Sequence, residues 1–170
     1  MKVILETDRL LLREYVEEDA EAFFKLNTDP EVLRFVPDLA LLNVEQARQL
    51  LIDHPIADYR KHGFGRGALI IKSTGEQIGF AGLKYLDELG EVDVAYRLMR
   101  THWGLGLATE AALASVRYGF ADLGLKRIIG LVMPENIASV RVLEKAGLRY
   151  TETISFWGHD FSKYVIEASS

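Results

Sequence analysis

Trp103-Gly104-Leu105-Gly106-Leu107-Ala108-Thr109-Glu110 follows a strand-like run and opens a long, apolar-striped helix. Small residues at Gly104, Gly106 and Ala108 allow a tight turn and let a ligand approach the main chain. The first turn of a helix has N–H groups without internal partners and carries the positive end of the helix dipole, a combination suited to phosphate. The chemistry expected here is the grip of a phosphorylated cofactor. Gly-x-Gly turns also occur where nothing binds. A dinucleotide fingerprint would need a third glycine three places after Gly106, where Thr109 stands, and only one strand–helix unit follows. No Gly-Lys-Ser/Thr occurs, so the Walker pattern fails as well.

The elements that must position this turn follow from periodicity and punctuation. Thr7 to Arg13 reads as a first strand. Glu18 to Asn27, with Ala20, Phe23, Phe24 and Leu26, reads as a short helix closed by Asp29-Pro30. Asn43 followed by Gln46 signals a capped helix through Ala47, Leu50 and Leu51, which Pro55 should kink or end. Gly67 to Lys72 and Gln77 to Leu86 form a hairpin pattern around Ser73-Thr74-Gly75-Glu76. Glu91 to Leu98 alternates acidic and apolar residues as a half-buried strand does.

After the glycine turn a helix is expected to about Leu123, then a strand over Arg127 to Val132. Asn136 should cap a helix carrying Val140, Leu143 and Ala146, with Gly147 as its stop. Strands over roughly Leu148 to Ser155 and Lys163 to Glu167 close the chain. This order predicts an α/β fold of α+β type, with a mixed sheet and no regular βαβ alternation.

The chain's 170 residues fit a single domain, expected over residues 1–170, with 49% hydrophobic residues and a mean hydropathy of +0.05 typical of soluble globular proteins. No apolar run has the length of a membrane span, the charged start is unlike a signal peptide, and cysteine is absent. The expectation is a cytoplasmic protein without membrane or nucleic-acid partners, the net charge of −5 opposing nonspecific nucleic-acid binding. His54, His62, His102 and His159 lack the spacing of a metal site, so no metal is expected.

The order of segments resembles the GNAT superfamily of acyl-CoA-dependent N-acyltransferases, and within it the branch of ribosomal-protein-alanine N-acetyltransferases. The resemblance rests on Glu6 to Arg13 with Glu17-Glu18-Asp19-Ala20, on Gly75 to Gly82, on Trp103 to Ala112, and on Pro134-Glu135-Asn136 with Val142 to Leu148. It implies a mostly antiparallel central sheet of about seven strands flanked by helices and splayed at the cofactor site. It implies acetyl-CoA as cosubstrate, its pyrophosphate on the N–H groups of about Leu105 to Thr109 and its pantetheine between the strand ending near Leu98 and the Arg127–Val132 strand. The family usually has Gln or Arg where this chain has Trp103.

Acetyl transfer needs a neutral amine, a polarised thioester and a tolerable thiolate. About a fifth to a third of an ordinary α-amine is neutral near pH 7.4, against about one part in a thousand of a lysine side chain. The resemblance makes Asp93 the base candidate, acting through a water because the family's residue is often the longer Glu, with Glu91 in reserve on the same face. It also places Leu143 where many members carry a proton-donating tyrosine, and it makes Ser139 the partner of the sulfur. Asn136 is a helix cap and a candidate CoA contact, and a main-chain N–H near Leu98 would polarise the carbonyl. The expected acceptor is a small-molecule amine or a protein N-terminus, bound near Phe35 to Gly65 and the last hairpin, where Phe35, Tyr59, Phe64 and Trp157 are candidates for its pocket. Homodimerisation is left open, and the rival expectation is a CoA-binding module of the same fold without turnover.

Overall fold

The computed structural model describes residues 2–37, 39 and 41–169. The expected first strand, Thr7 to Arg13, begins only at Leu10, and a strand outside that expectation precedes it. Val3–Glu6 (β1) and Leu10–Glu14 (β2) pair antiparallel around a turn at Thr7, whose N–H donates to the Leu10 carbonyl and whose hydroxyl accepts from the Leu10 N–H. The turn is clamped from far along the chain, by Glu110, which accepts from the Thr7 hydroxyl at 2.5 Å and from Arg9 Nε at 2.7 Å. The sheet therefore has eight strands where about seven were expected.

Its order is β1-β2-β3-β4-β5-β6-β8-β7, with β3 at Gly67–Ile71, β4 at Gln77–Leu86, β5 at Glu91–Leu98, β6 at Arg127–Val132, β7 at Arg149–Phe156 and β8 at His159–Glu167. Every neighbouring pair is antiparallel except β5 and β6. β8 begins four residues before the expected Lys163, because Trp157 and Gly158, both at positive φ, make a tight turn.

Helices cover both faces. On one lie α1 (Ala20–Leu26), α2 (Val44–Leu51) and α3 (Ala57–His62), where Tyr15, Ala20, Leu26 and Leu51 pack with Ala68 and Phe80 of the sheet. The expected disturbance at Pro55 is there: α2 gives way after Leu51 to a wide π turn over Ile52–Ile56 that accommodates the proline's missing N–H and carries the chain into α3. On the other face, α4 (Leu107–Ala121) packs Ala112 and Val116 against Leu83, Val92, Val94 and Ile128. A Cβ on Gly119 would come within 2.7 Å of Ile128 Cδ1, so glycine sets how closely α4 approaches the sheet. Asn136 caps α5 (Ile137–Lys145) by accepting from the Ser139 N–H, and Gly147 at φ +97 follows its end. No helix of the described residues is long and apolar enough to cross a membrane.

Candidate active site

The sheet opens where its one parallel pair should continue. β5 and β6 share a single rung, Asp93 with Ile129, and beyond it the strands part. Met99 N–H donates to the Ile78 carbonyl, and the register with β4 is unbroken from Leu98 back to Glu91. Alternation along β5 therefore turns the N–H groups of Tyr96 and Leu98 away from β4 and into the opening. The expected splay is present, with hydrogen-bonding edges on its β5 side.

Asp93 stands at the vertex. Its Oδ1 accepts at 3.3 Å from the Leu131 N–H, the donor that the next rung of the ladder would have used. The side chain is 9% exposed, and burial pushes its pKa from 3.8 up to about 7, against the opposing pull of Arg66, the Leu131 N–H and Lys84. A carboxyl with that titration range can accept a proton near neutrality. Glu91, two residues back on the same face, is held by Arg127 at 3.1 Å, which also meets Glu167 at 3.5 Å.

On the opposite face of β5 the opening is bridged by a pair of hydroxyls. Tyr96 Oη lies 2.9 Å from Ser139 Oγ and donates to the Ser139 carbonyl at 3.0 Å. Burial holds the Tyr96 phenol above its ordinary range. Sequence reasoning missed Tyr96; its signal was the alternation of β5, which puts it two residues from Leu98 on the α4–α5 face. Leu143 is 2% exposed and packs over Gly130, where a Cβ would lie 2.6 Å from Leu143 Cδ2. It is core.

Beside the opening lies the glycine turn. Gly104 and Gly106 both sit at φ +77, a region that glycine enters without Cβ strain. Among the described residues the N–H groups of Gly104, Leu105, Gly106, Leu107, Ala108 and Thr109 donate to no protein acceptor; Glu110 N–H to the Gly106 carbonyl is the first bond of the helix. The bases behind the loop are already paired: Arg9 with Glu110, Lys72 with Glu6 and His102 with Glu76. Trp103 points its one donor back into the protein, onto the Leu98 carbonyl at 2.9 Å. An anion here meets main-chain N–H groups at a helix start, and the fit to a diphosphate is good.

The α1–α3 face carries the remaining charge. The side chains of Phe80 and Lys84 share that face with Asp93 and Arg97. Lys84 pairs with Asp58 at 2.8 Å, while Arg97 donates to Asn27 Oδ1 at 2.6 Å. Burial and the neighbouring Arg66 lower the Arg97 pKa to about 10. Of the aromatics expected to line an acceptor pocket, Tyr59 is a structural link, accepting from the Tyr15 N–H and donating to the Arg66 carbonyl. Phe64 packs on the α4 side of the core, Trp157 lies on the β7–β8 turn, and Phe35 sits beneath the Arg34 guanidinium. No group of metal-ligating side chains occurs among the described residues.

Residues 9–149 match the acetyltransferase (GNAT) domain family model. The uncharacterised N-acetyltransferase p20 of Bacillus licheniformis is 38% identical over 141 residues, 82% of this chain and 78% of its own length. The acetyltransferase of Agrobacterium tumefaciens superposes with a TM-score of 0.85 at 25% identity, over 99% of this chain and 95% of that one. The ribosomal L7/L12 alpha-N-protein acetyltransferase RimL, solved in complex with coenzyme A, has the same fold at a TM-score of 0.83 and 16% identity, over 98% of each chain.

Proposed function

The chain belongs to the GNAT acetyltransferase family and is an N-acetyltransferase, and from that premise we propose that it moves an acetyl group from acetyl-CoA to a primary amine by direct attack, with both substrates bound together. The acceptor is a small-molecule amine or the α-amine of a protein N-terminus. The reading is carried by the β5–β6 opening, with a carboxyl of pKa about 7 at its vertex and a run of unpartnered N–H groups at its mouth.

Coenzyme A supplies an activated acyl group and a thiol leaving group, and this chain's residues supply the rest. The N–H groups of Leu105 to Thr109 hold the diphosphate, with Gly104 and Gly106 setting their direction. Asp93, through a bridging water, accepts the proton of the attacking amine. Its titration range matches an α-amine near 7.7–8.0 far better than a lysine near 10.4. The N–H groups of Leu98 and Tyr96 face the carbonyl oxygen as charge grows on it, a contribution worth a few kcal/mol. The Tyr96–Ser139 hydroxyl pair donates to the departing sulfur, in place of the tyrosine that Leu143 replaces. Asn136 keeps Ser139 at the first turn of α5.

Two measurements test this reading: calorimetry with CoA and acetyl-CoA, and thiol release from acetyl-CoA across amines and N-terminal peptides. Affinity for CoA and release with at least one amine are expected. Absence of affinity for either would sink the reading, and affinity without release for any amine would mark a binding module. Turnover by Asp93→Ala with an unaltered pH profile would remove Asp93 as the base.

A further inference from the structure

The face of the sheet shared by Asp93 and the α1–α3 helices holds two guanidinium groups that no carboxylate pairs with directly, although Asp93 and Asp58 are near enough to Arg66 to favour its charge. Phe80 meets two guanidinium groups, with Arg97 Cζ 4.9 Å and Arg66 Cζ 5.3 Å from its ring centroid. Lys84 on the same face has Asp58 as its ion-pair partner, and Arg13 nearby has Asp19. Arg97 has only the neutral Asn27 carboxamide, and among the described residues Arg66 has no side-chain hydrogen bond or ion pair at all. Two like charges drawn this close on one ring repel, and partial burial removes the water that would screen them.

A second observation points to the same place. The Tyr15 hydroxyl is the one buried side-chain polar atom among the described residues without a hydrogen-bond partner, on a side chain 3% exposed. Tyr15 packs in one cluster with Phe80 and feels the charge of Asp19 and, more weakly, those of Arg97 and Arg66. Guanidinium forks and a phenol hydroxyl are all donors, and what they share is an oxyanion acceptor. Between them and Asp93 the same face carries Gly82 and Ala95, which add no bulk.

We propose that Arg66, Arg97 and the Tyr15 hydroxyl form an oxyanion pocket of the acceptor site, so that the acceptor is a primary amine bearing a carboxylate or phosphate on the same molecule. This rests on the acetyl-transfer reading above and names its substrate class. Asp93 and Arg97 lie four residues apart on one strand, roughly 13 Å. A spacer of several bonds therefore separates the acceptor's nitrogen from its oxyanion.

The test pairs ω-amino carboxylates, from glycine to ε-aminohexanoate, with their methyl esters, and adds phosphoethanolamine beside ethanolamine. Each is measured by thiol release and by calorimetric binding to the CoA complex. The expected result is a preference of about tenfold or more in kcat/KM for the longer amino carboxylates over their esters, or for phosphoethanolamine over ethanolamine. Whichever pair shows it identifies the oxyanion. Arg66→Gln and Tyr15→Phe are expected to bring that ratio toward one; the wild-type comparison stands even where a variant at the buried Arg97 fails to fold. Equal binding and equal turnover of charged and neutral partners would overturn the pocket while leaving acetyl transfer intact. Selective binding of the charged partner with no thiol release from any amine would overturn the transfer reading and keep the pocket.

Discussion

Asp93 is asked to be both buried and ionised, and those demands oppose each other. Because the folded chain holds the proton more tightly than the unfolded one, the stability this residue contributes is complete below about pH 4. It is lost as pH rises through about 7. Asp93→Asn is therefore expected to be more stable than the parent at about pH 8, by up to a few kcal/mol, with the advantage shrinking toward about pH 4; denaturant melts at both ends of that range measure it. In activity the sign reverses. The parent's kcat/KM should rise through about pH 7 as Asp93 loses its proton, and Asp93→Asn should lose that limb together with about a hundredfold or more of rate. On the other face of β5, Tyr96→Phe removes the hydroxyl that meets Ser139. It should lower kcat by about tenfold or more while leaving CoA affinity close to the parent's, as steady-state kinetics beside calorimetry would show.

At the scale of the element, α4 matters more for where it starts than for what it packs against. Gly106 precedes its first turn at φ +77, with no side chain capping the N–H groups behind it. Gly106→Ala has room, since the nearest atom to its Cβ would be Arg9 Nη2 at 3.6 Å, so the cost is conformational, about 1 kcal/mol. Its effect should fall mainly on CoA: re-aimed N–H groups weaken binding by about tenfold or more in calorimetry, with a small loss in melting temperature. β5 works similarly, since one edge completes the ladder with β4 while the other leaves Tyr96 and Leu98 N–H groups in the opening.

For the whole molecule, the opening divides the sheet into β1–β5 and β6–β8, joined through one rung and through the α4 and α5 packing. A ligand lying along β5 and against the α4 start would contact both halves. CoA at about a hundred times its Kd should then stabilise the fold by about 2.7 kcal/mol. Hydrogen exchange should slow at the amides of Tyr96, Leu98 and 104–109, with far less change in the β1–β2 hairpin. Uniform protection across the sheet would argue against this seat.

Features legible in the sequence were those whose cause lies within a turn or two of the residue. The glycine turn, the Asn43 and Asn136 caps, the acidic strand and the order of the later elements are of this kind, since φ preferences and i to i+3 hydrogen bonds act locally. The strand Val3–Glu6 and its turn at Thr7 were not legible, because that turn is fastened by Glu110, 103 residues beyond Thr7. Nor was the occupation of Glu91 by Arg127, the meeting of Tyr96 with Ser139, or the stacking of Arg66 and Arg97 on Phe80. Each of these needs strands set side by side by the sheet order, and burial, which raises the Asp93 pKa, exists only once they are. Local conformational preference wrote the pieces; long-range packing decided which of them face one another.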